Sequence, residues 1–275
     1  MLEQLKYQNH LGEVFEFGRD GVYVNVNELH DYEWSVAKKN NRISSLDHVV
    51  VTRKLPVIIM CTTEAEGIAA RNRLFEVVEK DAMAMQYGRI IIGDYYFRCY
   101  VTKSVKKKYL TTAHYMEVTL SLTTDRPYWV KETTTVFMPT ATTLGVRNDL
   151  DYDHDYPHDY TNDMTTRTVM NTGFVPSNFR LSINGPCVNP SVYVAGHQYQ
   201  VNCEVESGEY LTIDSVAKTI TLTTAGGEKK NLFNSRNKAS YIFEKIPAGR
   251  QVVSWSGSFI FEVVILDERS EPKWT

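Results

Sequence analysis

A single stretch of this 275-residue chain carries a helical pattern, and that scarcity constrains the fold more than any other feature. Thr63-Glu64-Ala65-Glu66 fits a capping box, in which the threonine oxygen accepts from an orphan amide and the glutamate reaches back to the cap. Ala70, Leu74, Val77 and Val78 follow at helical spacing and form one apolar stripe, with Arg71, Glu76, Glu79 and Lys80 on the other faces. The spacing predicts one amphipathic helix over 63–83. The periodic stretches elsewhere alternate at period 2, the pattern of a strand with one buried face. Val22, Val24 and Val26 alternate, as do Tyr32, Trp34 and Val36; residues 48–61 read as a strand around Pro56, which suits an edge or bulge better than a central position. Residues 89–92 and 95–101 flank Gly93-Asp94, a loop that suits a type II′ hairpin. Residues 114–122 and 132–138 alternate again. Strands at this spacing with one flanking helix predict a β-barrel or sandwich with a single helix packed on it, over residues 1–143.

The second half shows no helical pattern. At least seven short strands between 178 and 275 are separated by turns every 8–12 residues, among them Asn184-Gly185-Pro186, Gly196-His197, Ser207-Gly208, Gly226-Gly227 and Ser256-Gly257. That layout predicts an all-β sandwich. Trp255 reads as a core aromatic; the alternative is an aromatic platform for sugar, with Asn231, Asn234 or Arg236 as polar neighbours.

Between the halves lies an unusual segment. Residues 148–164, NDLDYDHDYPHDYTNDM, hold six aspartates, two histidines and three tyrosines with no lysine or arginine. Carboxylate oxygens suit calcium, but no glycine stands at the sixth position of a twelve-residue loop and no glutamate closes one. His154 and His158 are four apart, the spacing of zinc ligands on a helix, yet Pro157 between them opposes a helix. The segment therefore reads as a solvated connector over 144–177 and not as a metal site.

Chemistry does not converge elsewhere. His10, His30, His48 and His114 are scattered, and the sequence holds no nucleophile elbow, phosphate-binding glycine loop or HExxH. No catalytic residue, cofactor site or metal site is expected. Cys61 and Cys99 read as buried core thiols; Cys187 and Cys203 are free to pair only if two strands bring them together, and reduced thiols are the expectation. A net charge of −3 argues against nucleic acid as a main ligand. The cluster Lys103, Lys106, Lys107 and Lys108 reads as a solvated hairpin or a guarded edge. The amino terminus lacks the apolar core of a signal peptide, and the longest apolar runs are too short to span a bilayer, so no membrane insertion is expected.

The order of several motifs resembles a known family. FxFGxxG near the start, LHDYEWSV at 29–36, the single helix leading into RIIIGDYYFRCYV, DYDHDYPHDY at the junction, and LSINGPCVNPSVYV, GEYLTIDSVAKTITL and IPAGRQVVSWSGSFIFEVVILDER in the second half together resemble distal tail (Dit) proteins of long-tailed phages with non-contractile tails, in phage- and prophage-encoded forms. The resemblance implies a tail-tube-like domain over 1–143 that forms a hexameric ring, and a galectin-like β-sandwich over 178–275. It implies a structural virion protein at the tail tip, made in the bacterial host cytoplasm, without enzyme activity or cofactor. The ring would join the tail tube protein to the tail-tip hub or tail-associated protein and to receptor-binding or baseplate proteins, with DNA passing through it without specific binding. The alternative function is a carbohydrate- or receptor-binding tail protein acting through the carboxy-terminal sandwich.

Overall fold

The structure, a computed structural model, describes residues 4–112, 115–139 and 167–274, without the side chains of 108–112. His114 and the acidic segment with His154, Pro157 and His158 lie outside the described residues, as does most of the stretch expected to be a connector. The chain forms two compact units, one of residues 1–131 with 268–275 and one of residues 132–267.

In the first unit the elements run β1 (Leu5–Gln8), β2 (Val14–Glu16), β3 (Val22–Val24), β4 (Ser35–Lys39), β5 (Arg42–Asp47), β6 (Val51–Met60), α1 (Glu64–Ala84), β7 (Gly88–Ile92), β8 (Tyr95–Thr112), β9 (Tyr115–Thr124) and the start of β10 (Trp129–Phe137). All pairings are antiparallel. One sheet has the order β2-β1-β7-β8-β10 and the other β3-β6-β9-β8. The eighteen-residue β8 serves both. Tyr95–Cys99 pair with β7, and from Tyr100 onward the strand pairs with β9, with a register shift between Val101 and Lys103. A bulge bends and twists a strand, which lets β8 leave one sheet and enter the other. Leu55, Ile59, Phe97, Leu122 and Trp129 fill the space between them.

α1 follows the sequence closely. Thr63 is its N-cap with both halves of the capping box formed, and Ala70, Leu74, Val77 and Val78 are buried on the core. Burying a leucine such as Leu74 contributes about 1.5–3 kcal/mol. The Gly93-Asp94 loop closes a two-residue hairpin in which Ile92 faces Tyr95 and Gly93 takes φ +55°, as a type II′ turn requires. Pro56 sits inside the pairing of β6 with β9, opposite Thr119, and not at a sheet edge. Its carbonyl accepts from the Asn25 amide on the β3 side, just past the end of β3. The N–H that proline lacks faces that same side, so no bond to β9 is lost. Residues 103–107 form a solvated hairpin arm paired with β9, where Lys106 Nζ lies 4.5 Å from the centre of the Phe75 ring.

The second unit holds β11 (Arg167–Asn171), β12 (Asn178–Asn184), β13 (Cys187–Val188), β14 (Ser191–Val194), β15 (His197–Gln200), β16 (Glu204–Val205), β17 (Tyr210–Asp214), β18 (Thr219–Thr223), β19 (Lys229–Asn231), β20 (Gly249–Trp255) and most of β21 (Phe261–Arg269). One sheet is β19-β18-β17-β12-β21, the other β11-β20-β14-β15, and β13 pairs with β16 beside them. Phe179, Leu181, Ile183, Leu211, Ile213 and Val263 from the first sheet share one core with Val169, Val192, Tyr199, Val253 and Trp255 from the second. One detail differs from the sequence reading: β11 lies inside the stretch read as connector and pairs with β20. At Ser256-Gly257 residues 256–260 carry the chain from one sheet to the other, since β20 pairs with β14 and β21 with β12.

Candidate assembly surface

The sequence LHDYEWSVAKK alternates as a half-buried strand would, yet all eleven residues of β4 and β5 are exposed. Among the described residues the two strands pair only with each other. Asn40 and Asn41 form the tip with φ of 51° and 58°, the left-handed pair a type I′ turn needs. A register shift between Ala37 and Lys38 skips Ser44, so that Ile43 faces Lys38 while Leu46 faces Val36. Paired residues point to one face, so the bulge sets Val36, Ile43 and Leu46 on the same side. They are 45%, 65% and 50% exposed. An isolated two-stranded hairpin is marginal in water. This one is fixed at its foot, where the Trp34 ring lies 4.0 Å from that of His48 and His48 meets Tyr128 edge-on at 4.7 Å. Burial holds the His48 imidazole below its ordinary pKa, against the Glu33 carbonyl, which raises it.

At the opposite end of β6 lies a cleft of about 530 Å³, where β3, Met60 and the first turns of α1 meet. Asp20 and Glu66 stand on its wall with Tyr23, Met60 and Ala69. Gly21 makes this junction possible. It has φ +74°, its carbonyl accepts from the Met60 amide at 2.7 Å, and a Cβ there would lie 2.5 Å from Cys61 Sγ. Cys61 is therefore half-buried on the cleft wall and not a core thiol, while Cys99 is fully buried. Burial pushes both thiols up, aided by Glu66 at Cys61 and by Asp81 at Cys99.

Asp81 is a buried polar group that the sequence reading missed. It is 0% exposed in the last turn of α1, a turn that holds no basic residue. Tyr7 Oη donates to its Oδ2 at 2.5 Å, and the His10 amide and Nδ1 reach its Oδ1 at 2.8 and 2.5 Å. Burial, then Cys99 and the bond to Asp81, raise the Tyr7 phenol well above its ordinary pKa. Gly88 closes over the group, since a Cβ there would sit 2.2 Å from both Asp81 Oδ2 and Tyr7 Oη. The arrangement ties β1 and the start of β7 to the helix, and its donors satisfy a carboxyl that the helix C-terminus disfavours. One signal was present: Asp81 continues the stripe of Leu74, Val77 and Val78 at i+7, i+4 and i+3.

The other described histidines have structural partners. His30 stacks on Trp274 at 4.1 Å with Glu271 at 3.4 Å, and His197 Nε2 lies 2.9 Å from the Tyr241 carbonyl. Among the described residues no group of three or more His, Cys, Asp or Glu is placed to hold a metal ion. Trp255 is 2% exposed, packed edge-on against Phe137 and Phe261, so its indole offers no open face for stacking. It lies under a cleft lined by Asn189, Tyr193, Gln198 and Ser256, to which neither Asn231 nor Arg236 contributes. Those two flank Phe233 instead: Asn231 Oδ1 accepts from its amide, and Arg236 donates to its carbonyl and lies 4.0 Å from the ring centre.

No protein-family model and no curated protein matches the chain in sequence. Solved structures do match its fold. The crystal structure of the phage SPP1 Dit (gp 19.1) protein, described as a paradigm of the hub adsorption apparatus in phages infecting Gram-positive hosts, aligns over 98% of this chain and 100% of its own with a TM-score of 0.58 at 10% identity. The fold is that of a phage Dit protein. Chains of the phage P2 baseplate in its activated conformation, with Ca and with Sr, align over 99% of this chain and 100% of their own at a TM-score of 0.64 and 11% identity. In this Dit-like fold the motifs that carry the resemblance have structural reasons: Gly18 and Gly21 of FxFGxxG both take positive φ, and LHDYEWSV leads into the exposed arm. None of the described helices is long and apolar enough to cross a membrane.

Proposed function

We propose that this protein is a structural virion protein of a phage or prophage tail tip. In this reading the first unit is a tail-tube-like ring former and the second a galectin-like domain projecting from the ring. Six copies surround a channel through which DNA passes without specific binding. The ring joins the tail tube to the tail-tip hub and carries the receptor-binding or baseplate proteins. The observation that carries the reading is the fold likeness to the SPP1 Dit hub protein and to P2 baseplate chains over nearly the whole chain. Both are hub or baseplate structures and not enzymes, which supports a role in architecture without chemistry. The hairpin arm supports it as well, because its exposed apolar ridge is a feature of surfaces that meet a partner.

Electron microscopy of the purified full chain, with mass photometry across a concentration series, tests the reading. Closed rings of about six copies are expected. A strict monomer, both alone and when mixed with tail tube and hub proteins of the same phage, overturns it.

A further inference from the structure

We propose that the β4–β5 arm of one copy seats in the β6–α1 cleft of its neighbour, a head-to-tail contact that repeats around the ring; this deepens the ring reading and rests on it. Three independent observations lead there.

The first is the arm itself. Its Val36, Ile43 and Leu46 ridge shares one face only because of the bulge at Ala37/Lys38, and among the described residues nothing covers that face. A register without the bulge would place Ile43 on the other face. The second is the match in chemistry. The ridge ends at a cationic tip of Lys38, Lys39 and Arg42, whereas the cleft offers apolar surface from Met60, Tyr23 and Ala69 beside Asp20 and Glu66. Met60 is 55% exposed although it ends a core strand. Arg73 is the cation on that wall, and it donates to the Val14 carbonyl. The third is distance. The arm leaves the body at the Val51 end of β6 and the cleft lies at its Met60 end. Ten strand residues separate them by roughly 30 Å, while the five-residue arm reaches about 17 Å. With its foot fixed by Trp34, His48 and Tyr128, the arm cannot fill the cleft of its own copy. Each copy then offers one arm and one cleft, and a contact between two different surfaces propagates until it closes.

The test uses two full-length variants and their mixture, followed by sedimentation velocity. The arm variant carries Lys38→Glu, Arg42→Glu and Ile43→Ser; the cleft variant carries Met60→Lys and Ala69→Lys. All five positions are exposed, and unchanged melting by circular dichroism verifies the folds. Each variant alone is expected to self-associate about a hundredfold more weakly than the natural chain. Mixed one to one, they keep one intact arm and one intact cleft per pair, so dimers form and growth stops there. Rings that persist in the arm variant overturn the arm contact and leave the ring reading standing. A mixture that stays monomeric while the natural chain forms rings also overturns it. A natural chain that never associates removes the ring reading and this contact together. Should the triple change disturb the fold, Ile43→Lys alone gives the same readout on a smaller scale.

Discussion

Replacing Asp81 with alanine probes a buried polar cluster of the first unit, and its cost follows from the partners it strands. Three donors converge on the carboxyl: the Tyr7 hydroxyl, the His10 amide and the His10 ring. Tyr7 is 1% exposed, so its hydroxyl loses its acceptor where water does not replace it, a loss of about 1–3 kcal/mol. The two His10 groups are only part-buried and recover some bonds to water, adding about 1 kcal/mol together. Removing the buried carboxyl returns part of its desolvation cost, which leaves a net of about 2 kcal/mol. For a unit of some 140 residues that corresponds to a drop of about 7 °C in melting temperature. Calorimetry at neutral pH measures it. Gly88 supplies an internal control. Gly88→Ala forces a methyl against Asp81 and Tyr7 and is expected to destabilise by a similar amount, but in the Asp81→Ala background part of the collision is gone, so the pair should cost less than the sum. An Asp81→Ala protein that melts within about 2 °C of the natural chain, with additive costs in the cycle, would falsify the reasoning.

Other expectations follow from single contacts. Thr63→Ala removes half of the capping box and should cost about 1 kcal/mol by chemical denaturation, with no change in assembly. Trp255→Ala is expected to destabilise the second unit by about 3–5 kcal/mol, as a core aromatic does; a near-neutral stability with lost glycan binding would instead favour a ligand role. The Tyr7 phenol is raised in the folded protein relative to an unfolded tyrosine near pH 10, so its stabilising effect is complete below that pH and is lost as pH rises above it. A melting series from pH 8 to 11 should show this alkaline loss, and Tyr7→Phe should reduce its slope. Native thiol titration should leave Cys99 unreacted, and Cys187, pushed up to about 11 by burial and by Cys203, should react slowly and faster with rising pH.

The elements legible in the sequence were those governed by local rules. The capping box and stripe located α1 within a residue or two, and Gly93-Asp94 announced its hairpin, because cap and turn chemistry act over a few residues. Alternation found most strands but not the partners they choose. Tyr32, Trp34 and Val36 alternate like a buried strand, yet period 2 only sorts residues onto two faces and does not say that either face is covered. Ser256-Gly257 read as a turn, but turn chemistry does not say whether the strands on either side pair, and these two belong to different sheets. The cleft was illegible because it joins Asp20, Met60 and Glu66 across more than forty residues, and the Asp81 cluster joins residues over seventy apart. The candidate ligand residues failed to converge on one surface because Trp255 was claimed by the core of its own unit.

The shared strand β8 has a mechanical consequence. Tyr95–Cys99 stitch one sheet together and Tyr100 onward the other, so neither sheet of the first unit has a complete boundary without the same piece of backbone. Opening either sheet strips hydrogen bonds from the strand that the other depends on. Amide exchange in β7 and in β9 is therefore expected to report one opening free energy, as a single cooperative block. A load carried from one face of this unit to the other would pass through a continuous covalent segment, with no packed joint in its path that could slip.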